Sequence, residues 1–236
     1  LLAALVMTAI SLLIPILCVS RFQLVFAVLL AAFTYISLQK LFHPGWLFGL
    51  FVVMIPFYLI LTVARSHNIE YLNGIFEMKN ASMPIFVSQP YIYIANNYDN
   101  FNCLVGALPG HSFGLKGLFP LWALSGLKFF FPQLINFPIY VDKTELTTLT
   151  LFYDSYYDFG WIGVLLFSCV LGAIAYILVV KLREMRNPLG YLLYAQFAAY
   201  LMLSFFTTWF SNTTTWFYLI LTGIMALFYH LRASRW

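Results

Sequence analysis

Long uncharged apolar runs alternate with short charged interruptions along this chain, and that alternation predicts its elements. A helix needs about 20 apolar residues to cross a bilayer. Residues 1–20 carry no charge and meet that length, with a kink expected at Pro15 and a break at Arg21. Residues 22–39 form a second predicted span, closed by Lys40, and His43-Pro44-Gly45 reads as a turn. Residues 46–64 form a third, with Trp46 at one interface and Arg65 at the other. Residues 159–180 are a fourth, uncharged throughout. Lys181, Arg183 and Arg186 follow, then Asn187-Pro188-Leu189-Gly190 as a turn. A fifth span is predicted over 191–210, a polar break over 211–214, and a short sixth span over 215–229, with Arg232 and Arg235 beyond it.

Residues 65–158 break the pattern. They are mixed in polarity and hold seven of the chain's eight acidic residues. Ser88-Gln89-Pro90 is expected to open a short helix, with Ser88 as its N-cap and proline in the first turn. Asn96-Asn97-Tyr98-Asp99-Asn100 reads as a turn-rich polar knot ending it. Residues 118–131 are apolar but too short, and too broken by Pro120, Gly126 and Lys128, to span; they read as interfacial or re-entrant.

Composition settles the class. Hydrophobic residues make up 63% and charged residues 8%, with a mean hydropathy of +0.88, where a soluble domain carries about 25% charged residues. The expected fold is therefore an all-α polytopic membrane protein with about six spans. The net charge of +4 is too small for a nucleic-acid footprint and is better read through the excess of basic residues in cytoplasmic loops. The basic loop 181–186 and the tail after His230 then lie inside, as do both ends of the chain. Three parts follow: three spans over 1–64, an outer loop over 65–158, and three spans over 159–236. A loop of roughly ninety residues is unlike a passive connector. The chain opens at Leu1 inside an apolar run without a charged leader, which suggests an N-terminally truncated segment rather than a signal peptide. Its three cysteines are scattered, with no metal-ligand spacing and no disulfide framework, so neither a metal nor another cofactor is expected.

Candidate chemistry collects at the outer mouth of the fourth span, in Thr147-Thr148-Leu149-Thr150 through Tyr153-Asp154-Ser155-Tyr156-Tyr157-Asp158-Phe159-Gly160 to Gly163. Asp158 fits a helix N-cap, and it equally fits a base or a sugar-hydroxyl acceptor. Asp154 is a second carboxylate for that work. Tyr153, Tyr156 and Tyr157 share a helical face and read either as an interfacial aromatic belt or as a platform for sugar rings. Gly160, Gly163 and Gly172 read as close-packing positions for a neighbouring helix. Arg65 is either a snorkelling anchor or a bidentate phosphate ligand. Lys116, with Lys128 and Lys143 behind it, is a further cation for that role. His111, in Pro109-Gly110-His111-Ser112, is a candidate general base.

The lead-in ending at Thr150, the Tyr157-Asp158-Phe159-Gly160 step, Gly163 and the apolar helix with Gly172 resemble the C-terminal region of Wzy-type O-antigen and capsule polymerases. So do the segment from Tyr91 through Asn96 and Asp99, and an arginine just past a helix, here Arg65. Members of that family usually have more than six spans. The resemblance implies a metal-independent glycosyltransferase of the bacterial inner membrane. A growing glycan on undecaprenyl pyrophosphate is passed to a lipid-linked acceptor repeat unit, and the loop faces the periplasm. Chain-length regulator and flippase proteins would be partners. Arg65, supported by Lys116, would stabilise charge on the leaving pyrophosphate. Asp158, Asp154 or His111 would orient or deprotonate the acceptor, while the tyrosines, Thr150, Asn96 and Asp99 would hold sugars. The polyprenyl tail would lie near residues 118–131. Two other readings stand beside this one: an O-antigen ligase of similar architecture, and a transporter or flippase subunit. The absence of Asp, Glu, Lys and Arg from the predicted spans favours interfacial chemistry over transport.

Overall fold

The computed structural model describes residues 21–39, 68–182 and 187–233, together with scattered positions among 6–17 and 45–62. Arg65 and most of the first and third predicted spans lie outside the described residues. The described residues are helical, with no strand. The chain divides into two compact units, residues 1–90 and 91–236.

In the first unit the helix Arg21–Gln39 (α1) covers the second predicted span. Its apolar stretch, Phe22–Leu38, is about 25 Å long at 1.5 Å per residue, short of a 30 Å hydrocarbon core. The short helix Ile69–Ile75 (α2) is capped by Asn68, whose side chain accepts from the Tyr71 amide at 3.1 Å. Asn73 on α2 is fully buried and donates to the carbonyls of Ala81 and Met83 at 2.8 and 2.7 Å, which folds the following turn back on the helix.

The helix Ile85–Ala107 (α3) corrects two expectations. It starts before Ser88 and carries Pro90 inside, so Ser88 does not cap it. It also runs straight through Asn96–Asn100 rather than ending in a turn. Asparagines favour turns when their side chains bond locally; here Asn97 does bond back to Tyr93 O within the helix, but all three also bond to distant backbone. Asn97 Nδ2 donates to Phe205 O at 2.6 Å, and Asn100 Nδ2 donates to Leu146 O and Thr148 O, both at 2.8 Å. Asn100 Oδ1 accepts from the Asp142 amide at 2.9 Å. Asn96 Nδ2 also donates to Leu146 O, at 2.9 Å.

The stretch 118–131 is short and broken, as its composition predicts. It forms the helix Phe119–Leu124 (α4) and a 3-10 turn at Leu127–Phe129, followed by another at Pro132–Leu134. The helix Tyr153–Leu182 (α5) contains the fourth predicted span but begins six residues earlier and is kinked at Phe159 and Gly160. Gly160 has φ +62°, a conformation costly for any residue with a Cβ. Gly163 does not serve a neighbouring helix as expected: a Cβ there would lie 2.2 Å from the carbonyl oxygen of Ser155, across the kink of its own helix. Gly172 has nothing within 4 Å of an added Cβ.

The fifth predicted span is corrected. Its helix, Pro188–Met202 (α6), has 15 residues, about 22 Å, and stops well before residue 210. Its end unwinds because other parts of the chain claim the carbonyls. Leu151 N donates to Ser204 O at 2.8 Å, Asn97 to Phe205 O, and Trp209 Nε1 to Leu203 O at 2.9 Å. The last helix is Thr213–Ala233 (α7). It is tied to α6 by Gln196 Nε2 donating to Thr222 Oγ1 at 3.0 Å and by Asn187 Nδ2 donating to Ala226 O at 2.7 Å. Two stretches, Tyr153–Lys181 and Thr213–Arg232, are long and apolar enough to cross a membrane.

Candidate functional site

The predicted mouth is a folded junction. The loop 111–118 returns over the kink of α5, and the kink supplies its backbone acceptors. With Gly160 out of helical geometry, the carbonyls of Tyr157 and Asp158 accept from the amides of Ser112 and Phe113, at 3.2 and 3.1 Å. The Asp158 carboxylate completes the junction. Oδ1 accepts from the Ser112 hydroxyl and from the Lys116 amide at 3.1 Å, and Oδ2 from the Gly117 amide at 2.8 Å. Asp158 is 4% exposed. It therefore does cap N–H groups, but those of a loop more than forty residues away rather than those of its own helix.

Lys116 lies inward from this loop. Its Nζ is 4.4 Å from the Tyr157 ring centroid, 5.6 Å from that of Tyr153 and 3.9 Å from Asp154 Oδ1. That last distance is an ionic contact too long for a hydrogen bond, and Oδ1 has no hydrogen-bond partner. The hydroxyl-bearing residues Ser211 and Thr208 lie beside the Asp154 carboxylate. Burial pushes the Lys116 ammonium below its ordinary pKa, against Asp154 and Asp158, which pull it up. A cation already shared with a carboxylate and two aromatic faces is a poorer phosphate ligand than a free one.

His111 stands at the outer edge, exposed, with Nδ1 3.3 Å from the Tyr157 carbonyl. Donation from Nδ1 to that carbonyl leaves the Nε2 lone pair available, the arrangement a general base needs. The same ring lies against the kink, where a Cβ on Gly160 would come within 3.1 Å of Nε2.

The tyrosines divide. Tyr153 is fully buried, with its hydroxyl donating to Tyr140 O and accepting from Tyr140 N, both at 2.8 Å. Tyr157 is 4% exposed, and with Leu104 the two form the local core against which Tyr156 also packs. Tyr153 and Tyr157 thus build the junction from inside instead of forming an open platform. Thr150 is likewise buried and accepts the first-turn amide of Tyr153 on its carbonyl. Asn96 is a buried clamp, whereas Asp99 is exposed.

Below the junction an open apolar groove of about 780 Å³ runs between α5, α6 and α7. Its polar end holds Asp158, Ser155 and Ser211. From Gly163 to Leu178 its α5 wall spans about 22 Å. Of residues 118–131 only Leu118 lines it. Sequence reasoning missed Ser112, Thr208 and Ser211. Thr208 sat in an apparent span, where the run Thr207-Thr208-Trp209 was the available signal, and Ser211 opened the polar break after it. Among the described residues no cluster of His, Cys, Asp and Glu could hold a metal ion. Compared with protein-family models, curated proteins and solved structures, the chain has no match.

Proposed function

We propose that the chain is the catalytic portion of a membrane-embedded polymerase of lipid-linked oligosaccharide repeat units, with the six-span, both-ends-inside topology that its charge pattern predicts. One observation carries the reading: the exposed imidazole of His111 and the polar junction around Asp158 sit at the top of an apolar groove long enough for part of a polyprenyl chain. A substrate that joins a hydrocarbon tail to a sugar matches both halves of that surface.

In this reading His111 Nε2 removes the proton from the acceptor hydroxyl as that oxygen bonds to the anomeric carbon of the growing glycan. The bond from that carbon to the pyrophosphate oxygen breaks, and the leaving group departs with the electron pair. The resemblance assigns the departing charge to Arg65, which lies outside the described residues. Lys116, held by Asp154 and the tyrosine faces, contributes field from below. Asp158 is a positioning residue that holds the loop bearing His111 and Lys116.

The test is glycan chain length in a bacterial strain lacking the gene, complemented with its complete reading frame. Wild type restores a ladder of repeat units. Removing a general base costs about 10²- to 10⁴-fold in rate, so His111→Gln at matched expression leaves mostly single repeats, as does Arg65→Ala. A wild-type gene that restores no ladder overturns the polymerase. If the null strain instead lacks even singly capped lipopolysaccharide, the activity is that of a ligase.

A further inference from the structure

The segment that follows the junction has surface and backbone properties of its own. Phe129 and Phe130 are 78% and 79% exposed, and Leu121, Leu124 and Phe131 are exposed beside them. Exposed large apolar residues this dense mark an interaction surface. The backbone of the segment is largely paired within itself. The amides of Ser125, Gly126, Phe129, Phe130, Phe131, Leu134 and Ile135 all donate to carbonyls within the segment, at 3.0 to 3.4 Å. The Ser125 hydroxyl turns back onto Leu121 O at 2.6 Å, and the Trp122 indole donates to Leu115 O at 3.0 Å. Backbone paired within itself to this extent is compatible with hydrocarbon, which offers no partner for a free N–H.

The patch also continues into the lipid-facing side of the bundle. Helix α4 packs on α7. Phe113, 77% exposed, meets Phe159 edge-on with ring centroids 6.2 Å apart, and Trp161 two residues on is 71% exposed. The single charge in the segment, Lys128, folds over the Phe129 ring at 5.1 Å, so its ammonium can reach the headgroups while the ring stays below.

We infer that the segment 118–135 is a wedge inserted sideways into the bilayer leaflet nearest the junction, with Phe129 and Phe130 among the acyl chains. It is too short to re-enter and cross, and it fixes the depth of His111 and Asp158 relative to the headgroups. The inference rests on the membrane reading of α5 but not on the polymerase reading.

The experiment places a nitroxide on single cysteines at Phe130, and separately at Phe129, in a chain whose native cysteines are serine. The chain is reconstituted in phosphatidylcholine nanodiscs at one copy per disc. Leu165 on α5 serves as the lipid reference and the exposed Glu145 as the aqueous one. Expected is severalfold greater relaxation by oxygen than by a water-soluble nickel chelate at both wedge positions, close to the Leu165 ratio. A ratio matching Glu145, with Leu165 still in lipid, overturns the wedge alone. So does a label reached by neither reagent, which means a protein contact. A Leu165 label that behaves like Glu145 overturns the membrane reading and the wedge together.

Discussion

A single carboxylate shows how residue type and residue role part company. Asp158 sits where a helix-capping aspartate is expected, and it does satisfy N–H groups, but those of Lys116 and Gly117, together with the Ser112 hydroxyl. Hydrogen bonds to a charged group are each worth about 1.5–3 kcal/mol net, and an orphaned buried donor costs about as much. Asp158→Asn keeps the shape but turns an N–H₂ toward an amide that needs an acceptor. The expected loss is about 2–3 kcal/mol, read as a lowered thermal midpoint in detergent, while Glu145→Gln at an exposed loop position leaves the midpoint in place. An unchanged midpoint for Asp158→Asn would remove the latch from this account. The chemistry of the junction was legible in residue identity, since Asp154, Asp158, Lys116 and His111 all meet there. Their pairing was not, because a lysine that stacks on tyrosines and a lysine that waits for phosphate look the same in one dimension.

At the scale of elements, apolar run length located α5 and α7 well and misjudged α6. Hydropathy counts side chains. The end of α6 is decided by carbonyls that Leu151 and Asn97 take from outside the run, and nothing in Phe205, Phe206 or Phe210 announces that. The same blindness hid α3, whose asparagines signal a turn until their distant partners are known. Glycines carry a sharper lesson, because Gly163 and Gly172 lie in one helix and read alike. Alanine at Gly163 meets a backbone oxygen at 2.2 Å that cannot move without straightening the kink. Alanine at Gly172 meets nothing and gains about 0.5–1 kcal/mol from the lower entropy of the unfolded chain. Thermal unfolding of the two variants should therefore move in opposite directions. A Gly163→Ala protein as stable as wild type would mean that α5 tolerates a straighter path and that the kink is not fixed by packing.

At the scale of the whole molecule, residues 142–148 are held to α3 by buried amide side chains. Asn100 is fully buried and binds three backbone groups of residues 142–148. Asn100→Ala leaves Thr148 O and the Asp142 amide without partners at about 1–3 kcal/mol each, while Leu146 O keeps Asn96. That is enough to release the segment locally while the helices persist. Trypsin should then cut at Lys143 faster than in wild type while helical circular dichroism is retained. Equal cutting rates would show that the tyrosine core around Leu104 holds the segment without the clamp.

The bond from Asn97 to Phe205 spans 108 residues, and that separation can be stated as time. At roughly 5–20 residues per second of synthesis, α3 leaves the ribosome on the order of 5–20 s before its acceptor carbonyl exists. Through that interval Asn97 has only the Tyr93 carbonyl of its own helix to bind, whereas the partners of Asn96 and Asn100 follow 42 to 50 residues after them. The loop is thus finished last although it is made in the middle, and maturation of the junction waits on the final third of the chain.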